Sequence, residues 1–395
     1  MLTAVIDNIC RAEGARVLAG LIRRFGDFEL AEDALQDAFA KALETWPTQG
    51  LPATPAAWLT TVAQRRALDL IRRRRTGHAY VEEVPDLAAE APQDEADPAD
   101  CSGVEDDRLR LVFTCCHPAI AQPAQVALAL RTLCGLSTRE IARAFLEPEA
   151  TTAQRLVRAK RKILDARIPY QVPDRENLPE RLDAVLGVIY LVFNEGYAAT
   201  DTPGLLRPDL CAEAIRLARL VAELLPEPEV LGLLALMLLQ DSRRDARVST
   251  DGAIVPLEEQ DRGLWHRSAI DEGRAILHRA LVMRRRGVYQ AQAAIAALHA
   301  EAARAEDTDW KQIAALYRAT LKEHPGAVMA LNAAVALAMA DSLEQGLAEI
   351  EQLAANEELE GYYLLPAARA DLLRRLERRG EARESYHAAL ALVVN

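Results

Sequence analysis

Residues 137–164 read STREIARAFLEPEATTAQRLVRAKRKIL, two helical patterns separated by a proline-bearing turn. Ser137 is placed to cap the first helix, and Glu140 three residues on completes a capping box. Ile141, Ala142 and Phe145 form its apolar stripe, and Leu146 to Ala150, with Pro148, forms the turn. Thr151 or Thr152 is placed to cap the second helix. On that helix Leu156, Ala159 and Ile163 share one side, while Arg155, Arg158, Arg161 and Lys162 share another. An apolar stripe backed by a basic stripe fits a helix-turn-helix whose second helix enters a DNA major groove. The competing reading is a core helix whose basic side is merely solvated.

Upstream, AEDALQDAF at 31–39 is followed by Trp46. Leu35, Phe39, Ala42 and Leu43 give this helix a core stripe, and Asp33, Gln36 and Asp37 give it a polar side suited to a protein partner. A second helix begins at Pro55 and runs through AAWLTTVAQRRALDLIRRRR. Leu59, Val62, Ala63, Leu70 and Ile71 keep its apolar period, opposite a largely basic side of Arg65, Arg66, Asp69, Arg72 and Arg73.

Between these two helical segments lies an acidic stretch, 77–107, with Pro85, Pro92 and Pro98 among its carboxylates. Such a composition buries too little apolar surface to order itself, so a flexible linker is expected there. The organisation that follows is 1–76, linker 77–107, 108–170 and 171–395.

The 395 residues are 50% hydrophobic but only 5% aromatic, and Ala and Leu dominate, which favours an all-α fold. The net charge of -12 disfavours nucleic acid as a partner for the chain as a whole. The basic residues are nevertheless concentrated at Arg72–Arg75 and Arg155–Lys162, and an electrostatic footprint is local. The six cysteines form no CxxC pair, so no metal is expected, and Cys115 and Cys116 are read as packing residues rather than ligands. No cofactor motif appears. The opening MLTAVIDNIC lacks the pattern of a signal peptide. The apolar runs Val185–Phe193 and Val230–Leu239 are too short to span a bilayer. A cytoplasmic protein with reduced cysteines and no membrane partner is expected.

At the level of both helical segments together, the sequence resembles sigma factors of the extracytoplasmic-function (ECF) type in the sigma-70 family. AEDALQDAF is similar to the polymerase-binding helix of sigma domain 2, and PAAWLTTVAQRRALDLIRRRR to the helix that engages the promoter -10 element. The helix-turn-helix is similar to sigma domain 4, which reads the -35 element. The resemblance implies that the chain is no enzyme, and that its partners are core RNA polymerase and promoter DNA. It assigns Asp33, Gln36 and Asp37 to polymerase binding, and Arg65, Arg66, Asp69, Arg72 and Arg73 to the opened -10 strand. Thr151, Thr152, Gln154, Arg155, Arg158 and Arg161 fall to the -35 duplex. The sequence departs from the family pattern at Arg65, where Asn is common, at Ala150 for Gly and at Ala153 for Lys.

Beyond Pro173 the chain reads as a series of amphipathic helices. Tyr317, Ile350 and Tyr386 recur near the roughly 34-residue period of tetratricopeptide repeats, and Trp310 stands seven residues before Tyr317. FTCCHPAIAQPAQ onward, with LPERLDAVLGVIYLVFNEGYAAT, resembles the ECF subgroup that carries a tetratricopeptide-like extension. That resemblance implies an extension that governs activity in place of a separate anti-sigma protein. Because a flexible linker leaves the two sigma-like segments unable to fix their own spacing, contact between the extension and one or both of them is expected. Within it, Asn194 and Glu195 read as a helix end capped by Gly196, Asp251-Gly252 as a turn, and Trp265 as a packing anchor. The alternative for the whole chain is a helical-repeat scaffold or DNA-binding regulator that does not bind polymerase.

Overall fold

The computed structural model describes residues 2–77, 101–145, 147–197, 208–249, 253–355 and 357–392. Among them the regular elements are helices, and the extended structure is an isolated antiparallel bridge between Val248 and Ile254. The fold is all-α. The chain divides into two compact units, 1–192 and 193–395.

The first unit opens with α1 (Leu2–Phe25), α2 (Phe28–Gln49) and α3 (Pro55–Gly77). Gly26, at φ +69, turns the chain after α1. Asp27 then caps α2 by accepting a hydrogen bond from the Leu30 amide at 3.0 Å. Ala31, Ala34, Leu35, Ala38, Ala42 and Trp46 line the buried side of α2. Small alanines in that row let α1 and α3 approach closely, and α1 packs on both. Trp46 meets Trp58 of α3 edge to face at 5.3 Å. Leu43, expected in the core stripe, is instead 46% exposed, because the buried row is narrower than the sequence suggests and passes through Ala42 and Trp46.

Helix α4 (Cys101–Cys115) takes the last residues of the stretch read as linker, so that reading is too long at its C-terminal end. Residues 78–100 of the expected linker lie outside the described residues. Next come α5 (Gln122–Thr132), α6 (Thr138–Ala144) and α7 (Glu149–Asp165), with α5 and α6 both packing on α7. Leu128, Leu130, Leu133 and Ile141 are fully enclosed. Cys115 and Cys116 are buried too, and Cys115 Sγ lies 3.1 Å from Thr132 Oγ1. Burial pushes the Cys115 thiol up to about 12, which suits a small core residue and not a nucleophile.

Helix α4 also packs on α1. At this joint Asp107, 1% exposed, is held by Arg23 at 3.0 Å and Arg110 at 2.7 Å. The Tyr170 hydroxyl sits 3.0 Å from both the Ala19 and Asp107 carbonyls, to which it donates its one proton. Burial drives the Tyr170 phenol well above its ordinary range. The two helical segments of the first unit are therefore joined directly. The expectation that a flexible linker leaves them unable to fix their own spacing does not hold in this arrangement.

Helix α8 (Leu178–Tyr197) crosses the boundary between the units. It continues through Gly196, so that glycine is an interior helical residue and not a C-cap.

The second unit continues with α9 (Pro208–Leu224), α10 (Pro228–Asp241), α11 (Arg267–Val282), α12 (Val288–Glu301) and α13 (Trp310–Glu323). It ends with α14 (Ala327–Ala340), α15 (Leu343–Leu353), α16 (Leu364–Arg375) and α17 (Arg379–Leu392). Helix α10 is apolar nearly all round and packs against α9, α11 and α12, which makes it the central helix of its neighbourhood. Where it meets α12, a Cβ at Gly232 would lie 2.7 Å from the Gln290 amide nitrogen, so only glycine permits this crossing. A second core joins α14 to α17 through Leu331, Leu347, Ile350, Leu372 and Leu373. Of the expected repeat anchors, Ile350 is buried and Tyr317 half-buried, but Tyr386 is exposed, so the three are not equivalent. Asp251 and Gly252 lie outside the described residues, and Trp265 is buried as expected. No helix of the described residues is long and apolar enough to cross a membrane.

Candidate nucleic-acid interface

Asp33, Gln36 and Asp37 are all exposed on α2, on the side opposite its buried alanine row. Asp37 accepts a hydrogen bond from Arg66 Nε of α3, so the acidic side of α2 and the basic side of α3 meet. That bond holds Arg66 above its ordinary range. Arg65, Asp69, Arg72 and Arg73 are exposed along the same helix, and Arg72 stands 3.8 Å from Asp69. One continuous surface therefore carries both groups of residues expected in this first segment.

A cavity of about 370 Å³ opens between α1 and α2 on one side and the α5–α6 corner on the other. Gln36, Glu32 and Phe39 face it from α2, and Arg131, Ser137 and Glu140 from the opposite wall. Gln36 thus borders an intramolecular cleft as well as solvent.

The helix-turn-helix forms as the sequence requires at its first helix. Ser137 Oγ accepts from the Glu140 amide at 3.1 Å, and the Glu140 carboxylate accepts from the Ser137 amide at 2.7 Å. The second helix starts differently. Pro148 takes the N-cap position and α7 begins at Glu149, because proline's fixed φ already suits a helix start. Thr151 and Thr152 are consequently inside the helix and cap nothing.

Thr152 is 0% exposed, and its hydroxyl donates to Glu147. It braces the turn and has no route to a base or phosphate, which corrects its assignment to the -35 duplex. Glu147 also takes Arg155 in a two-pronged pair at 2.6 and 2.5 Å. Arg155 is therefore half-buried and neutralised within the protein. Gln154, Arg158 and Arg161 are exposed; Arg158 Nε donates to the Gln154 carbonyl at 3.3 Å, and Arg161 stands 3.5 Å from Asp165. Lys160 turns away from this group and pairs with Glu32 of α2, both side chains nearly enclosed. Sequence reading did not reach the Glu32–Lys160 pair, since 128 residues separate the partners. Glu147, in the turn itself, offered a closer signal.

Among the described residues no three His, Cys, Asp or Glu side chains gather as metal ligands would.

Residues 10–76, which hold α2 and α3, match the description "Sigma-70 region 2". Residues 181–281, from α8 into α11, match a family of unknown function (DUF6596). Over its whole length the chain is 46% identical to uncharacterized protein R00370 of Rhizobium meliloti (strain 1021), of which it covers 93%. It is also 31% identical over 166 residues to the probable ECF RNA polymerase sigma factor SigI of Mycobacterium tuberculosis, strains CDC 1551 and H37Rv. That match takes in 41% of this chain and 55% of SigI. No solved structure matches the chain. The chain carries a sigma-70 region 2 match in its first helical segment and, along its full length, belongs to the same family as the Rhizobium meliloti protein R00370.

Proposed function

We propose that this chain is a sigma factor: it binds core RNA polymerase and directs initiation at specific promoters. The observation that carries the reading is the continuous surface of α2 and α3, where Asp37 and Arg66 join the acidic patch to the basic one. Asp33, Gln36 and Asp37 bind polymerase, and Arg65, Arg66, Asp69, Arg72 and Arg73 hold the displaced -10 strand. Gln154, Arg158 and Arg161 contact the -35 duplex, with Thr151 beside them at the helix start and Arg155 once its pair with Glu147 opens. In this assignment residues 1–76 serve polymerase and the -10 element, 108–170 the -35 element, and 171–395 is a helical, tetratricopeptide-like regulatory domain. The function places the protein in the cytoplasm with its polymerase.

The arrangement of the first unit supports a further element of this reading. The Glu32–Lys160 pair fastens the DNA-reading helix to the polymerase-binding helix, so moving α7 away from α2 to reach a separate promoter element requires the pair to open. The structure is thus read as a closed state. Regulation by the extension is supported by Arg181, near the start of α8, which donates to the Phe113 carbonyl at 2.5 Å and so ties the extension's first helix to α4.

The experiment is a pull-down of the full chain with core polymerase, followed by run-off transcription on genomic fragments. Retention of polymerase and a discrete transcript are expected. Absence of polymerase binding, with DNA binding preserved, would instead identify a regulator that acts without polymerase.

A further inference from the structure

Outside the sigma-like surface, the second unit holds three arginines gathered around two aromatic rings. Arg247 stacks on the Tyr197 ring at 3.5 Å and donates to the Tyr197 carbonyl. Arg243 donates to the hydroxyl of the same tyrosine at 2.8 Å and lies 5.9 Å from the Trp265 ring. Arg262 covers that tryptophan from 4.5 Å and donates to the His299 and Ala302 carbonyls at 2.5 and 2.7 Å. Tyr197 therefore links Arg243 to Arg247, and Trp265 links Arg243 to Arg262.

None of the three is paired with a carboxylate among the described residues. Elsewhere in the unit Arg219, Arg285, Arg369, Arg375 and Arg378 each hold an Asp or Glu. Asp307, the carboxylate that acts on Arg262, is itself clasped by Arg304 through two bonds of 3.0 Å. Each clustered guanidinium uses one nitrogen on the protein and keeps the rest of its fork. Burial and mutual repulsion lower the proton affinity of Arg247 and Arg262. Partly buried charges of one sign, unpaired, cost stability unless a counter-charge arrives. Neighbouring His299 is pushed down to about 4 by burial and by Arg243 and Arg262, so it adds no fourth charge at neutral pH. A second sign of a missing partner lies at the centre. Trp265 is 3% exposed, and its indole N–H, sealed from solvent, has no acceptor among the described residues.

We propose that Arg243, Arg247 and Arg262, set around Tyr197 and Trp265, bind a small molecule through a phosphate group. Guanidinium forks match phosphate oxygens two at a time, and a phosphate carries enough charge to offset several of them. None of these residues belongs to the polymerase or promoter surfaces, and the test does not depend on them.

The test uses the full chain at constant ionic strength, with inorganic phosphate and pyrophosphate as probes and citrate as a carboxylate counterpart of high charge. Saturable binding is expected by calorimetry, with a higher thermal midpoint as ligand binds only the folded state. Arg243→Gln and Arg247→Gln should each weaken pyrophosphate about tenfold or more, and Arg378→Gln, just before α17, should leave it unchanged. Should either glutamine variant fail to fold, labelling of the unaltered protein with phenylglyoxal, read by mass spectrometry, decides the matter. Pyrophosphate should protect the three arginines while Arg378 labels as before. No saturable binding of either phosphate probe at about ten millimolar, undiminished binding in folded variants, or absence of protection would overturn the proposal. Tighter binding of citrate than of pyrophosphate would overturn the phosphate assignment.

Discussion

Helices α3 and α7 both carry a stripe of arginines, yet they offer that charge to the outside in different amounts. Along α3, Arg65, Arg72 and Arg73 stand exposed, and Asp37 of α2 takes Arg66. Along α7 the stripe is divided: Arg158 and Arg161 are exposed, whereas Arg155 is taken by Glu147 and Lys160 by Glu32. A basic run in sequence measures charge content. What reaches a phosphate depends on where the carboxylates of other elements come to rest.

The strongest way to break this contrast is to remove Lys160. The Glu32–Lys160 pair is nearly enclosed, and the second Glu32 oxygen already lacks a hydrogen-bond partner among the described residues. Stripping the lysine leaves a buried carboxylate uncompensated, so Lys160→Ala should cost about 3 kcal/mol in urea unfolding. Replacing both partners together, as Glu32→Gln with Lys160→Met, should recover most of that loss. A cost below about 1 kcal/mol for the single variant would mean the pair behaves as a solvated one.

Glu147→Ala comes next. It deprives Arg155 of its fork partner and Thr152 of its acceptor, for a loss of about 1–3 kcal/mol. The same change frees Arg155 for DNA. The log-log slope of binding against salt should steepen by up to about 0.9, and an unchanged slope would show that Arg155 meets no phosphate even when released.

Arg158→Ala sharpens the comparison from the other side. Its side chain is exposed and its protein contact is a carbonyl four residues back, so stability should hold while the salt slope flattens by about 0.9. Arg155→Ala should show the reverse pattern, losing stability with a smaller change of slope. Equal behaviour of the two variants would erase the distinction drawn between them.

The smallest effect on folding is expected at Asp37→Ala, where an exposed, solvent-screened pair with Arg66 is lost. Polymerase retention should nonetheless fall sharply. Full retention would remove Asp37 from the polymerase surface and leave it as a fastening for α3 alone.

The parts of the molecule that were legible are those governed by local chemistry. The capping box at Ser137 and Glu140, the alanine-lined side of α2 and the exposed row Asp33, Gln36 and Asp37 all follow from spacing within one helix. The start of α7 lies a full turn earlier than a cap at Thr151 or Thr152 would put it, because Pro148 competes with threonine for the cap, and the fixed φ of proline prevailed. Leu43 looked like core by size, but the helix angle carries it past the buried row. What could not be read is pairing across the fold. Glu32 looks like any helical glutamate, and nothing near Lys160 marks it for burial. Likewise Tyr197 lies far in sequence from the clustered arginines Arg243, Arg247 and Arg262, and only the folded chain brings its ring against Arg247.

Tyr170 has a use that reaches beyond its role at the joint of α1 and α4. The chain has nine tyrosines, and this one is kept protonated far into alkali by burial and the nearby Asp107. An ordinary tyrosine ionises near pH 10, so raising the pH past that point draws on the joint: the unfolded phenol gives up its proton and the folded one does not. Stability supplied by Tyr170 is therefore whole below pH 10 and drains away above it. In a near-ultraviolet titration the Tyr170 phenolate should arrive late and together with separation of α1 from α4. The protein thus carries its own chromophore for the opening of its first unit, and Tyr170→Phe should delete that late contribution.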